Sequence, residues 1–177
     1  MPNSKFTPRA LILALLALTL FLPGCWSSKF TLIKQDDARV DKNLLGNWNA
    51  LNAKGESATL IIRNIDDKNY YIETHDSAKQ YPEGVSRYIG FTAPLKDATF
   101  AHLKELQPDG NVPEEWLLVR IELKNDKLTI RHLKDEFMKS KTITTPDQLR
   151  QVLEQNLDDT TMYDPNETIT ATRTPQN

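Results

Sequence analysis

A single cysteine, Cys25, occurs in the 177 residues. One thiol excludes an intramolecular disulfide framework and every cysteine-based zinc cluster. Histidine is almost as scarce. His75, His102 and His132 are 27 and 30 residues apart, so no H-x-H or H-E-x-x-H spacing exists and a zinc site would need ligands from distant strands. The six glycines are scattered and form no phosphate-cradling loop. A G-x-S-x-G nucleophile elbow is also missing. No basic tract is present: beyond residue 24 the chain carries 20 Lys and Arg against 24 Asp and Glu. Nucleic-acid binding needs clustered bases to neutralise phosphates, so this acidic body excludes it. No metal and no cofactor are expected.

What is present starts at the N-terminus. Met1–Arg9 has Lys5 and Arg9 as its only charges, and Ala10–Leu22 reads ALILALLALTLFL. This is a basic start followed by an apolar run of secretory length, shorter than the ~20 residues that cross a ~30 Å hydrocarbon core. Leu22-Pro23-Gly24-Cys25 follows. It resembles the lipobox of bacterial lipoproteins, in which a Leu three residues before the Cys and a small residue just before it define the cut. That resemblance implies removal of residues 1–24, a diacylglyceryl group on the Cys25 thiol and acylation of the freed amine. Two or three chains would hold the protein firmly, where one chain binds only marginally. Trp26, rather than an inner-membrane retention Asp, follows the cysteine. The expected address is the cell envelope, lipid-anchored, with the periplasmic face of an outer membrane favoured if the host has one, and otherwise the outer face of the plasma membrane.

Residues 26–43 read as a tether, with Ser27, Ser28 and the polar Gln35-Asp36-Asp37, although Phe30, Leu32 and Ile33 would suit a short strand. Eighteen flexible residues would reach about 20–25 Å. A single β-rich domain is expected over 44–173, and a frayed tail over 174–177. In the domain the dominant period is two. Strand-like runs are 57–64, 69–74, 87–95, a weaker 99–106, 116–124 and 127–133, with a hairpin turn at Asn125-Asp126. Ile89, Phe91, Ala93 and Leu95 share one face, as do Leu117, Val119, Ile121 and Leu123, and Leu128, Ile130 and His132. Residues 134–139 suggest a short helical turn. Thr145-Pro146-Asp147-Gln148 is a helix start: a Thr cap, Pro at the first position, an acid in the first turn and Gln three residues on. Leu149, Val152 and Leu153 then give an apolar stripe, fading near Asn156. Residues 168–173 (TITATR) make the last strand.

Gly46-Asn47-Trp48, preceded by Val40–Leu45, resembles the opening of lipocalin-type barrels, where a helical turn leads into G-x-W on the first strand. The expected fold is mainly β: an antiparallel, lipocalin-like (calycin-type) barrel or strongly curved sheet, with one C-terminal helix before the last strand. The T-D-Y found near a middle turn of that family has no counterpart here. The resemblance also implies that Trp48 packs against a basic side chain at the end of the last strand, which would be Arg173, as a barrel latch. A broader resemblance is to a group of small bacterial lipoproteins, carried by LLGNW at 44–48, 116–138, 144–156 and ITATR at 169–173. It supplies no catalytic residues.

Other chemistry is sparse. The acid pairs Asp66-Asp67, Glu114-Glu115, Asp135-Glu136 and Asp158-Asp159 read as solvated turns, because adjacent strand residues face opposite ways. The stretch 158–167 is oxygen-rich but lacks the order of a calcium loop. Tyr70, Tyr71, Tyr81 and Tyr88 read as cross-strand packing or a binding face. The functional expectation is a non-enzymatic binding module for a small apolar ligand or an envelope protein partner. The alternative is a structural or assembly accessory of the envelope.

Overall fold

Nine antiparallel strands follow one another along the chain in a computed structural model that describes residues 26–175. They are β1 (Ser27–Ser28), β2 (Gly46–Asn52), β3 (Ser57–Asn64), β4 (Tyr70–Asp76), β5 (Val85–Leu95), β6 (Ala98–Glu105), β7 (Trp116–Lys124), β8 (Lys127–His132) and β9 (Ile169–Arg173). From β2 to β7 each strand pairs with the next. β9 inserts between β2 and β8, and β7 pairs with β8, so β2–β9 close into an eight-stranded barrel. Closure leaves no open sheet edge within the ring. The lipocalin-like expectation holds, and the hairpin at 116–133 forms in full register from Lys124↔Lys127 to Val119↔His132. Asn125 and Asp126 both have positive φ, the conformation a two-residue hairpin turn demands.

Between β8 and β9 lie two helices, α1 (Asp135–Lys139) and α2 (Pro146–Gln155), and 3-10 turns at Thr160–Met162 and Pro165–Glu167. The start of α2 follows its sequence signals. Thr145 Oγ1 accepts from the Gln148 N–H at 3.2 Å, and the Gln148 side chain accepts from the Thr144 N–H at 2.7 Å. Leu149 and Leu153 are fully buried. They join Leu95, Phe100, Leu118, Met138 and Met162 in a core on the outside of β5–β7. A second core, with Leu44, Trp48, Leu60, Ile62, Tyr70 and Leu128, fills one end of the barrel interior. Every residue of both cores lies between Trp26 and Ala171, so a chain beginning at Trp26 carries all of them.

This double packing explains why β6 is weak in the sequence. Its outward Phe100 and His102 are as buried as its inward Ala101, so the alternation that marks a half-exposed strand is absent. The outward face of β5 (Phe91, Ala93, Leu95) is buried for the same reason. Gly90 of β5 faces Leu103 of β6. A Cβ there would lie 2.1 Å from the His102 carbonyl oxygen, so no other residue fits.

The free tether over 26–43 is corrected. β1 pairs with the start of β7, Ser27 opposite Leu117 and Ser28 opposite Trp116. Leu32 and Ala38 are buried, and Trp26, Phe30 and Ile33 pack on the outer core. The Arg150 guanidinium donates to the Leu32 carbonyl at 2.7 Å. These apolar residues turn the segment into a strap along the barrel wall. Cys25 and the leader lie outside the described residues, as do 176–177; Thr174 is tied down by its N–H to the Asn47 carbonyl at 2.9 Å. Among the described residues no helix is long and apolar enough to cross a membrane.

Candidate functional site: the barrel cavity

Alternation along the closed strands sends one face of each inward. At one end the inward side chains pack solidly. Toward the other they leave a cavity of about 430 Å³. Its wall is aliphatic: Ala58, Leu60, Ile62, Ile72, Leu117, Val119, Ile121, Leu128, Ile130 and Ile169. Thr74, Tyr88 and Thr92 add polar atoms to the wall, and Asn52, Glu56, Ser57, Asp76, His132 and Glu167 stand toward the end bearing the β2–β3 and β4–β5 connections. The volume falls within the ~300–1,000 Å³ of small-molecule sites, and an apolar wall with a few polar groups is their usual composition. The shared faces expected for β7 and β8 turn inward and line this space, except that Leu123 packs against the core at the closed end.

The closed end is built by the G-x-W segment. Gly46 has φ +134°, a conformation that favours glycine, and a Cβ there would lie 2.9 Å from the Arg173 guanidinium and push it aside. Trp48 is fully buried, and its indole N–H donates to the Leu44 carbonyl at 3.1 Å. Trp48 and Arg173 are direct partners between β2 and β9, and the guanidinium carbon lies 4.2 Å from the indole centroid. Arg173 also donates from Nη1 to the Leu45 carbonyl at 2.7 Å, from Nη2 to the Asn43 carbonyl, and from Nε to Asp126 at 2.9 Å. The two latch residues are thus brought together, and the guanidinium also ties the 3-10 turn Lys42–Leu44 and the β7–β8 turn to the barrel floor. Tyr70 completes that floor. Its hydroxyl accepts from the Asp41 N–H at 2.6 Å, and burial pushes its ionisation upward.

The histidines separate widely. His132 lies at the cavity, where its Nδ1–H donates to the Glu167 carbonyl at 2.6 Å. His75 stands on the outer wall against Glu73, which also accepts from Tyr71 at 2.8 Å and Arg87 at 3.1 Å. The hydrogen bond from His75, then that from Tyr71, hold the Glu73 carboxyl below its ordinary range. Saturated with donors, it is a poor general base. His102 is the residue that sequence reasoning missed. It is buried under the strap, stacked on Phe91 with centroids 4.9 Å apart, and desolvation pulls its pKa down to about 3. Its Nε2 accepts from the Leu32 N–H at 3.4 Å, and its Nδ1 has no partner.

The acid-rich 158–167 stretch is occupied by capping. Asp159 accepts from the Thr161 N–H and Asp164 from the Asn166 N–H, each at 2.9 Å, at the heads of the two 3-10 turns. Among the described residues no three His, Cys, Asp or Glu side chains converge to hold a metal ion. Of the four clustered tyrosines, Tyr70 and Tyr88 face the cavity, Tyr71 faces outward and Tyr81 is 74% exposed. Compared with protein-family models, curated proteins and solved structures, the chain matches none.

Proposed function

We propose that this chain is a lipid-anchored lipoprotein of the bacterial envelope whose barrel binds a small apolar ligand without chemical turnover. The observation that carries the binding reading is the aliphatic cavity of about 430 Å³. The L-P-G-C sequence after a charged start and an apolar run supports the anchor at Cys25. An outer-membrane address facing the periplasm goes with Trp26 in place of Asp. Docking of a protein partner draws less support. The large exposed apolar residues Leu51, Ile65, Tyr81 and Val112 stand on four separate segments, whereas the cavity wall is continuous across the closed ring.

Two experiments test this reading. A chain beginning at Trp26 should take up the neutral probe N-phenyl-1-naphthylamine with a rise in fluorescence. Ala101→Phe with Val119→Trp, on paired inward positions of β6 and β7, should abolish the uptake. Overpacking costs about 1–3 kcal/mol, so a circular dichroism spectrum must show the barrel intact. Uptake undiminished in the filled variant would overturn the cavity reading. For the anchor, Cys25→Ala in the full chain should leave an uncleaved precursor without lipid label. Its normal processing to a soluble form would end the lipoprotein reading.

A further inference from the structure

Resting on the cavity reading above, we infer that the ligand is a single-chain amphiphile with a cationic, ammonium-type head, held over an arc of carboxylates at the cavity mouth. The charges lining the cavity have one sign. Glu56, Asp76 and Glu167 are there, and no Lys or Arg lines it among the described residues. Register places the three acids side by side along one sector of the rim. Asn52 of β2 faces Ile169 of β9, which puts Glu167 beside the β2–β3 turn. Within that turn the Asn52 N–H donates to the Glu56 carbonyl at 3.1 Å. On the next strand Ala58 faces Asp76, and the Ser77 N–H donates to the Ser57 carbonyl at 3.1 Å. The arc therefore runs from β9 across β2 and β3 to β4.

Part of this charge is already used. Lys79 approaches Asp76 at 3.4 Å, while the Glu56 carboxylate accepts only a neutral amide hydrogen bond from Asn52 at 2.6 Å. Glu56 and Glu167 thus set the sign at the mouth. A fatty acid placed with its chain among Leu60, Val119 and Ile130 would bring its carboxylate against these acids with no lining base to receive it. Like charges brought together at a recognition site are disfavoured, and opposite charges select. The cavity lies at the small end of ligand sites, which suits one chain.

The test uses the chain from Trp26 and displacement of bound N-phenyl-1-naphthylamine by dodecyltrimethylammonium and by dodecanoate, both below their micellar concentrations at low salt. The cation should displace the probe at about tenfold lower concentration than the carboxylate. The Glu56→Gln, Glu167→Gln double variant should bring the two within about twofold. Glu122→Gln, on the outward face of β7, should leave the ratio as it is. Dodecanoate acting as well as or better than the cation would overturn this inference while the cavity reading stands. Failure of the probe and both amphiphiles to bind would overturn both. A cation preference that survives the double variant would remove the carboxylate arc as its source.

Discussion

Arg173→Ala is expected to lower the stability of the barrel by about 2–4 kcal/mol. A guanidinium hydrogen bond is worth about 1.5–3 kcal/mol, and a cation over an indole about 0.5–2 kcal/mol. Arg173 makes three hydrogen bonds to oxygen and stacks on Trp48 at 4.2 Å. Its partial exposure keeps the total below the sum of the parts. Urea denaturation of the chain from Trp26 measures the loss. Arg173→Lys should recover part of it, because one ammonium can reach one carbonyl but cannot fork between two. Trp48→Ala should cost more, about 3–5 kcal/mol, through lost burial alone, and so says nothing about the latch. A shift below about 0.5 kcal/mol for Arg173→Ala would class it with ordinary surface positions and dismiss the latch.

Acidification should destabilise the barrel through His102, well before the carboxylates titrate. Its folded pKa of about 3 lies far below the 6.5 of an unperturbed histidine. Below pH 6.5 the unfolded chain binds a proton that the folded chain refuses, so stability falls with pH and continues to fall down to the folded pKa. Each pH unit in that window costs about 1.4 kcal/mol, and full protonation of the unfolded histidine amounts to about 4–5 kcal/mol by pH 3. Glu73, Asp66 and Asp159, all held below their ordinary range in the fold, add their own losses only near and below the 4.5 and 3.8 of unperturbed Glu and Asp. The window between pH 6.5 and 4.5 therefore lies above these carboxylates, and comparison with a His102 variant isolates this histidine within it. There the wild-type chain should lose about 2–3 kcal/mol, and His102→Leu should remove most of that slope. A slope unchanged by the substitution would mean that His102 is not the group responsible.

How far the residues announce this architecture depends on how each element is exposed. β3 and β7 have the ends read from their patterning because each turns one face to solvent or cavity and the other to packing. The Thr145 cap and Asn125-Asp126 turn are legible because their chemistry is local. β6 is buried on both faces and therefore blurred. The strap has the composition of a tether because its polar run, Gln35-Asp36-Asp37, is a 3-10 turn on the surface of a packed segment. His102 gave no local signal at all. Its burial comes from Phe91 on one neighbouring strand and from Leu32, 70 positions earlier in the chain. The acid arc is partly non-local: the β3–β4 hairpin brings Asp76 beside the turn that carries Glu56, but Glu167 joins them only when β9 closes the ring.

The strap has a mechanical consequence. Any load applied at Cys25 reaches the fold at Trp26 with no slack chain between. It is carried first by two residue pairs of β1 with β7, then by the bond from Arg150 to the Leu32 carbonyl and the one from the Leu32 N–H to His102. The ring beyond is closed by β7–β8 and does not include β1. Tension would therefore peel the strap and leave the ring intact. The fourteen residues from Trp26 to Arg39 would then pay out as extended chain, about 45–50 Å at 3.3–3.6 Å per residue. Were Cys25 the attachment point, as proposed, the domain would sit close against it at rest and be let out on this length of chain only under load.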